Sequence, residues 1–85
     1  MKSFQYEITN SIGMSDNAVG MLVREASKTN SEVVLECNGR TGNAKRLFSV
    51  KGMNIKSGDN VAVLVEGDDE TRTAENLEKF FHENL

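Results

Sequence analysis

Phe4, Tyr6 and Ile8 alternate with Ser3, Gln5 and Glu7, a period of two that puts three large side chains on one face of a half-buried strand. A polar, glycine-containing segment follows from Asn10 to Gly13, and Ser15 then offers a hydroxyl to the free amides of a first helical turn. Val19, Leu22, Val23 and Ala26 recur at i, i+3, i+4 and i+7, which predicts a helix over residues 16–27 with its stripe against a core. Lys28-Thr29-Asn30 ends it, placing a cation near the negative end of the helix dipole.

Val33, Leu35 and Cys37 resume the alternation against Glu32, Val34 and Glu36, and Asn38-Gly39 suits the positive φ angles of a type I′ hairpin turn. The second arm, Arg40 to Lys45, is polar and holds Gly42, so a short edge strand is expected. Leu47, Phe48, Val50, Met53 and Ile55 lie too close together for one narrow stripe, and Gly52 limits the length of any helix; a short helix over 46–52 is the expectation. Val61, Val63 and Val65, with Ala62 and Leu64 between them, form the apolar run of a central strand. Gly67-Asp68-Asp69-Glu70 closes that run, its carboxylates favouring the positive end of a helix over residues 70–84. The stripe of this helix is Ala74, Leu77 and Phe81, with Phe80 at its margin.

The order is β-α-β-β-α-β-α. The hairpin makes strands two and three neighbours, and one-faced alternation asks for helices on a single side of the sheet. The expected fold is an α+β open-faced sandwich in strand order 1-4-2-3, with the apolar fourth strand central, the polar third at an edge, and three helices on one face.

Composition narrows the functional classes. With 38% apolar and 27% charged side chains, seven glycines and no proline in 85 residues, the chain reads as one soluble globular domain over 1–85. A chain this short hides only roughly 60–65% of its unfolded surface, so function is expected on the surface and not in a roofed pocket. No run approaches the ~18–20 apolar residues of a membrane span, and MKSFQYEI lacks the apolar core of a signal peptide. The expectation is a cytoplasmic protein with no membrane insertion. Cys37 has no disulfide partner, and with His82 the only histidine there is no ligand set for zinc; no metal or cofactor is expected. Ten Lys/Arg against thirteen Asp/Glu give −3, which argues against a nucleic-acid partner.

Along its whole length the chain resembles the histidine-containing phosphocarrier protein (HPr) family of the bacterial sugar phosphotransferase system. The resemblance rests on Gly13-Met14 opening the first helix, Glu25-Ala26-Ser27-Lys28 closing it, Ser31 to Glu36 entering the hairpin, Asn43-Ala44-Lys45, Lys56-Ser57-Gly58-Asp59, and Gly67-Asp68-Asp69-Glu70, with no insertion between them. It implies four antiparallel strands in order 1-4-2-3 under three helices, in agreement with the pattern above.

The resemblance also implies a chemistry, carried in the family by a Gly-x-His-Ala-Arg-Pro-Ala loop whose imidazole takes a phosphoryl group from enzyme I and passes it to sugar-specific proteins. The matching residues read Gly13-Met14-Ser15-Asp16-Asn17-Ala18-Val19. Ser15 stands at the histidine position, Asn17 at the arginine position and Ala18 at the proline position. A nitrogen-linked phosphoryl group is labile and high in transfer potential, whereas a serine ester is stable and low, so Ser15 is not suited to reversible relay. Asn17 lacks the charge and fork geometry that would hold phosphate oxygens, and Asp16 adds a negative charge where an anion would meet the helix amides. The family's regulatory serine at the start of the second helix is replaced by Arg46, and Ser49, one turn on, does not match that motif. Leu47 and Phe48 match the apolar residues with which the family's short helix docks onto its partners, while Lys51 departs from the usual apolar third member.

The residues therefore support a docking surface without an acceptor: no catalytic residue, and a partner-binding set of Ser15, Asn17, Gly20, Arg24, Arg46, Leu47, Phe48 and Lys51. Arg24, Lys28, Lys45, Arg46 and Lys51 are candidates for its rim. The simpler roles are Ser15 as a helix cap, Asp16 as a dipole partner, Cys37 as a buried small hydrophobe, His82 as a solvated surface residue, and Leu47 and Phe48 as ordinary packing. The leading expectation is a regulatory or protein-binding module, monomer or weak dimer, whose partner is a phosphotransferase-system component or a transcriptional regulator. One alternative is a phosphocarrier with a non-standard acceptor at Ser15, Asp16 or His82. Another is a scaffold or oligomer subunit that pairs through the third-strand edge at Arg40 to Asn43.

Overall fold

A computed structural model describes residues 1–85. The first alternating segment forms β1 (Lys2–Glu7), and the helix-period stripe forms α1 (Asp16–Ser27). The hairpin is β2 (Glu32–Cys37) and β3 (Arg40–Asn43), followed by the short α2 (Leu47–Lys51), the apolar β4 (Asn60–Glu66) and α3 (Glu70–Asn84). One antiparallel sheet results, in order β1-β4-β2-β3. The expected architecture and strand order are those observed.

Register explains why β4 is central. Val63 lies opposite Phe4 on one side and Leu35 on the other, so the helix-facing residues of three strands fall in rows. Val61, Val63 and Val65 are completely buried, as are Leu22 and Ala26 of α1 and Phe81 of α3 above them. Phe81 meets the rings of Phe4 at 5.8 Å and Tyr6 at 5.6 Å, both edge-on, the arrangement aromatic quadrupoles favour. Asn38 (φ 55°) and Gly39 (φ 78°) adopt the left-handed pair that a type I′ turn needs.

Two expectations are corrected. The third strand stops at Asn43, two residues short of Lys45, because after a last bond from the Ala44 amide to the Val33 carbonyl (2.9 Å) the chain turns, the Arg46 amide donating to the Asn43 carbonyl (3.0 Å). Phe80 is not marginal: it is 8% exposed, with its ring 6.1 Å from that of Phe81. As expected, carboxylates stand at the positive end of α3, Asp69 at the N-cap and Glu70 in the first turn, but the Asp69 side chain makes no capping bond. Its carboxylate instead accepts from the Thr29 hydroxyl (3.3 Å), the Asn30 amide (3.2 Å) and the hydroxyl of the fully buried Ser31. This polar knot ties the α1–β2 link to the β4–α3 link, and Gly67 packs so tightly on it that a Cβ there would lie 2.7 Å from the Ser31 Cα.

Hydrogen bonds from Ser31 above all, then from the Asn30 amide and Thr29, hold the Asp69 carboxyl down at about 2 from its ordinary 3.8. A carboxyl depressed in the folded state contributes stability above its unfolded pKa and loses it as pH falls through the folded one. The Asp69→Asn variant is therefore expected to be less stable than the parent at neutral pH. The gap in urea midpoint should close as pH drops from about 4 towards 2; a gap that stays constant over that range would contradict the role given to the ionised carboxylate.

Candidate functional site

The chain between β1 and α1 is fastened from three directions. The Thr9 and Asn10 amides donate to the Leu85 carbonyl at 3.0 and 3.2 Å, the Gly58 amide donates to the Ile8 carbonyl at 2.8 Å, and the Met14 amide donates to the Ile55 carbonyl at 3.3 Å. Asn10 accepts from the Ile12 and Gly13 amides at 3.0 and 2.7 Å, closing a local turn. Gly13 is buried at φ 79°, and a Cβ would lie 2.9 Å from the Ser57 amide nitrogen, so this position requires glycine twice over. The loop is thus held against the segment that precedes β4, and it delivers Ser15 to the start of α1.

Ser15 caps that helix. Its backbone is extended (φ −67°, ψ 165°), its hydroxyl accepts from the Ala18 amide at 3.2 Å, and its carbonyl accepts the first helical bond from Val19 at 2.9 Å. A proline at position 18 could not supply that amide, so the alanine and the serine act together. Asp16 and Asn17 are exposed in the first turn, and the Asn17 amide nitrogen lies 3.9 Å from the Met21 sulfur.

Helix α2 stands beside this loop. Val50 is buried and anchors it, while Phe48 is 79% and Leu47 38% exposed, so both docking candidates point outward. Gly42 permits the close packing of α2 on β3: a Cβ there would meet the Met53 sulfur at 2.6 Å. Arg46 occupies the N-cap position without a capping bond. The Lys51 ammonium lies 3.6 Å from the Asp16 carboxylate and 5.8 Å from the centre of the Phe48 ring, linking loop, helix and aromatic face. The depression between Met14, Asp16, Val50 and Lys51 holds only about 100 Å³, well under the roughly 300 Å³ at which small-molecule sites begin. The site is a surface.

The structure therefore brings together Ser15, Asp16, Lys51, Phe48 and Leu47. Gly20 is half-buried and Arg24 exposed further along α1, and Arg24 shares a groove with Met21 of α1 and Lys79 and Phe80 of α3. Two rim candidates are engaged elsewhere: Lys45 donates to the Thr29 carbonyl at the end of α1 (2.8 Å), and Lys28 pairs with Glu25 at 3.1 Å. The Ser49 hydroxyl accepts from the Asn43 amide at 2.9 Å. His82 is exposed, its ring edge-on to Tyr6 at 5.0 Å. Burial, with Asp59 nearby, pushes the Cys37 thiol up and keeps it protonated. Ile12, 80% exposed on the loop ahead of Ser15, was missed, because a single apolar residue in a polar segment carries no periodic signal.

A family model for the HPr component of the phosphotransferase system, described by its phosphorylation site, matches residues 2–83. The chain belongs to the HPr family. It is 32% identical to the phosphocarrier protein HPr of Mycoplasma capricolum over 69 residues, covering 81% of this chain and 78% of that one. It is also 30% identical to the HPr-like protein Crh of Halalkalibacterium halodurans over 76 residues, covering 89% and 90%. The solved structure of a Mycoplasma histidine-containing phosphocarrier protein superposes with a TM-score of 0.93 at 26% identity, over 96% of this chain and 93% of that one. Both branches, the HPr phosphocarriers and Crh, are thus among its relatives, and the HPr fold places Ser15 where α1 begins.

Ser15→Ala removes the cap acceptor and is expected to cost about 1 kcal/mol of stability. Ser15→Asn, which also caps, should retain most of it. Urea unfolding of the three proteins checks this; equal losses in both variants would assign the effect to something other than the cap.

Proposed function

We propose that this HPr-related chain is a regulatory, protein-binding module of the phosphotransferase system that engages partners without carrying phosphate. The observation that carries the reading is at Ser15. At the position the family gives to its imidazole, a hydroxyl is committed to the Ala18 amide, and a serine ester would in any case lack the transfer potential of a phosphoimidazole. Asn17 brings no charge to hold an anion, and Asp16 places a carboxylate beside the helix amides that would otherwise receive one.

Docking is a separate property, and its parts remain exposed. Phe48 and Leu47 supply the apolar centre, with Arg46 and Lys51 as basic neighbours, and Ser15, Asn17, Gly20 and Arg24 continue the surface along α1. An aromatic residue within a partly charged rim has the composition of a binding hot spot. The partner is a phosphotransferase-system component or a transcriptional regulator. The similarity to Crh supports the second, since the Bacillus subtilis Crh structure is that of a catabolite repression protein. Its intertwined dimer, and the HPr dimer from Thermoanaerobacter tengcongensis, are compatible with a monomer or weak dimer here. No helix is long and apolar enough to cross a membrane, and the reading places the protein in the cytoplasm with no catalytic role.

Intact-mass measurement after incubation with phosphoenolpyruvate, enzyme I and an authentic HPr tests this. The expected result is phosphate on the HPr and none on this chain. A stoichiometric, acid-labile phosphate would refute it, and single substitutions of Ser15, Asp16 and His82 would then identify the acceptor. In a pull-down with enzyme I, Phe48→Ala is expected to weaken binding by about 2 kcal/mol, or roughly thirtyfold.

A further inference from the structure

The sheet has a second face that no helix covers. Its centre is apolar: Val34 lies opposite Leu64, and Ala62 follows in the next row, all three half-buried. Around them stand Glu7, Glu32, Glu36 and Glu66, which alternation places on the same side, away from the buried valines. Glu32 and Glu66 are directly opposite one another, a destabilising like-charge pair, and neither makes an ion pair within the chain. None of the ten Lys and Arg residues is on this face; the two in the strands, Lys2 and Arg40, pair with Val65 and Cys37 and so belong to the helix side.

The α2 face differs in charge. Phe48 and Leu47 are exposed there, Arg46 is outside any ion pair, and the Lys51 ammonium lies over the Phe48 ring while also reaching the exposed Asp16 carboxylate. Charges of mixed sign would be enough to keep the open face soluble. A face of one sign, with a like-charge pair left uncompensated, is the complement of a cationic surface around an apolar centre, and the chain itself presents one. We infer that the acidic sheet face receives the cationic α2 face of a second copy, head to tail.

Four strands at ~4.8 Å spacing and six residues at ~3.3 Å rise offer roughly 400 Å² on this face. That is half the ~800 Å² per partner of stable complexes, so the contact is weak and sensitive to salt. Because its two surfaces differ, it does not close on itself at two copies and growth continues. Association covers Phe48 and so competes with partner docking. The contact shares Phe48 with the proposed function, but it is tested by mass alone, so either can fail without the other.

Sedimentation equilibrium at low salt and millimolar protein is expected to show an average mass rising past the dimer with concentration, returning to monomer at high salt. A sheet variant, Glu32→Gln/Glu36→Gln/Glu66→Gln, and a helix variant, Arg46→Gln/Phe48→Ala, should each associate at least about tenfold more weakly. Their equimolar mixture should recover association and stop at a one-to-one pair, since each retains the face the other lacks; this recovery also shows that both variants are folded. A parent that stays monomeric at low salt, association that survives the sheet variant, or a mixture that stays monomeric would overturn the inference.

Discussion

The sheet can be covered on one face only, and β4 enforces that limit. Its three buried valines meet the helices on one side, while Ala62 and Leu64 between them face the other side, which no helix covers. With three helices of twelve, five and fifteen residues to cover four strands, α2 is short, and a short helix buries one anchor and exposes its neighbours. Val50 goes in, and Phe48 is left out. The exposure of Phe48 and Leu47, the face proposed for docking, is thus a consequence of how the core is closed.

The same packing separates positioning from chemistry. The loop before α1 is fixed by backbone bonds to Leu85, Ile55 and Gly58, with Gly13 packed on Ser57. None of these contacts depends on which side chain stands at position 15. The acceptor can therefore change without disturbing the scaffold, and here the replacement is coherent, because Ser15 takes the amide that Ala18 makes available. The Asp16–Lys51 pair joins the start of α1 to α2. Both residues are substantially exposed, so the pair adds at most about 1 kcal/mol of stability, and its effect is to hold charge beside Phe48.

Most of the fold was legible because its signals are periodic. The alternation in β1, β2 and β4 and the i, i+3, i+4 stripe of α1 each report one buried face, and Asn38-Gly39 reports a turn that few other pairs can make. What was not legible depends on contacts between distant segments. Nothing local in Gly67-Asp68-Asp69-Glu70 shows that Asp69, besides starting α3, turns its carboxylate to Thr29, Asn30 and Ser31, about forty positions away. Phe80 was misplaced because its cover comes from α1, and Ile12 was overlooked because an isolated apolar residue has no period. At the site, the identities of Ser15, Asn17, Leu47 and Phe48 could be read directly, whereas the assignment of Lys45 to a helix end and of Lys51 to Asp16 required the tertiary structure.

On the function proposed above, this chain keeps the docking geometry of an HPr and lacks the groups that carry phosphate. The most direct measurement is intact mass and phosphorus NMR of the Ser15→His/Asn17→Arg variant after incubation with enzyme I and phosphoenolpyruvate. An acid-labile phosphoimidazole on the variant, absent from the parent, is the predicted result. A folded variant that takes up no phosphate, or a parent that takes it up equally well, would contradict the account.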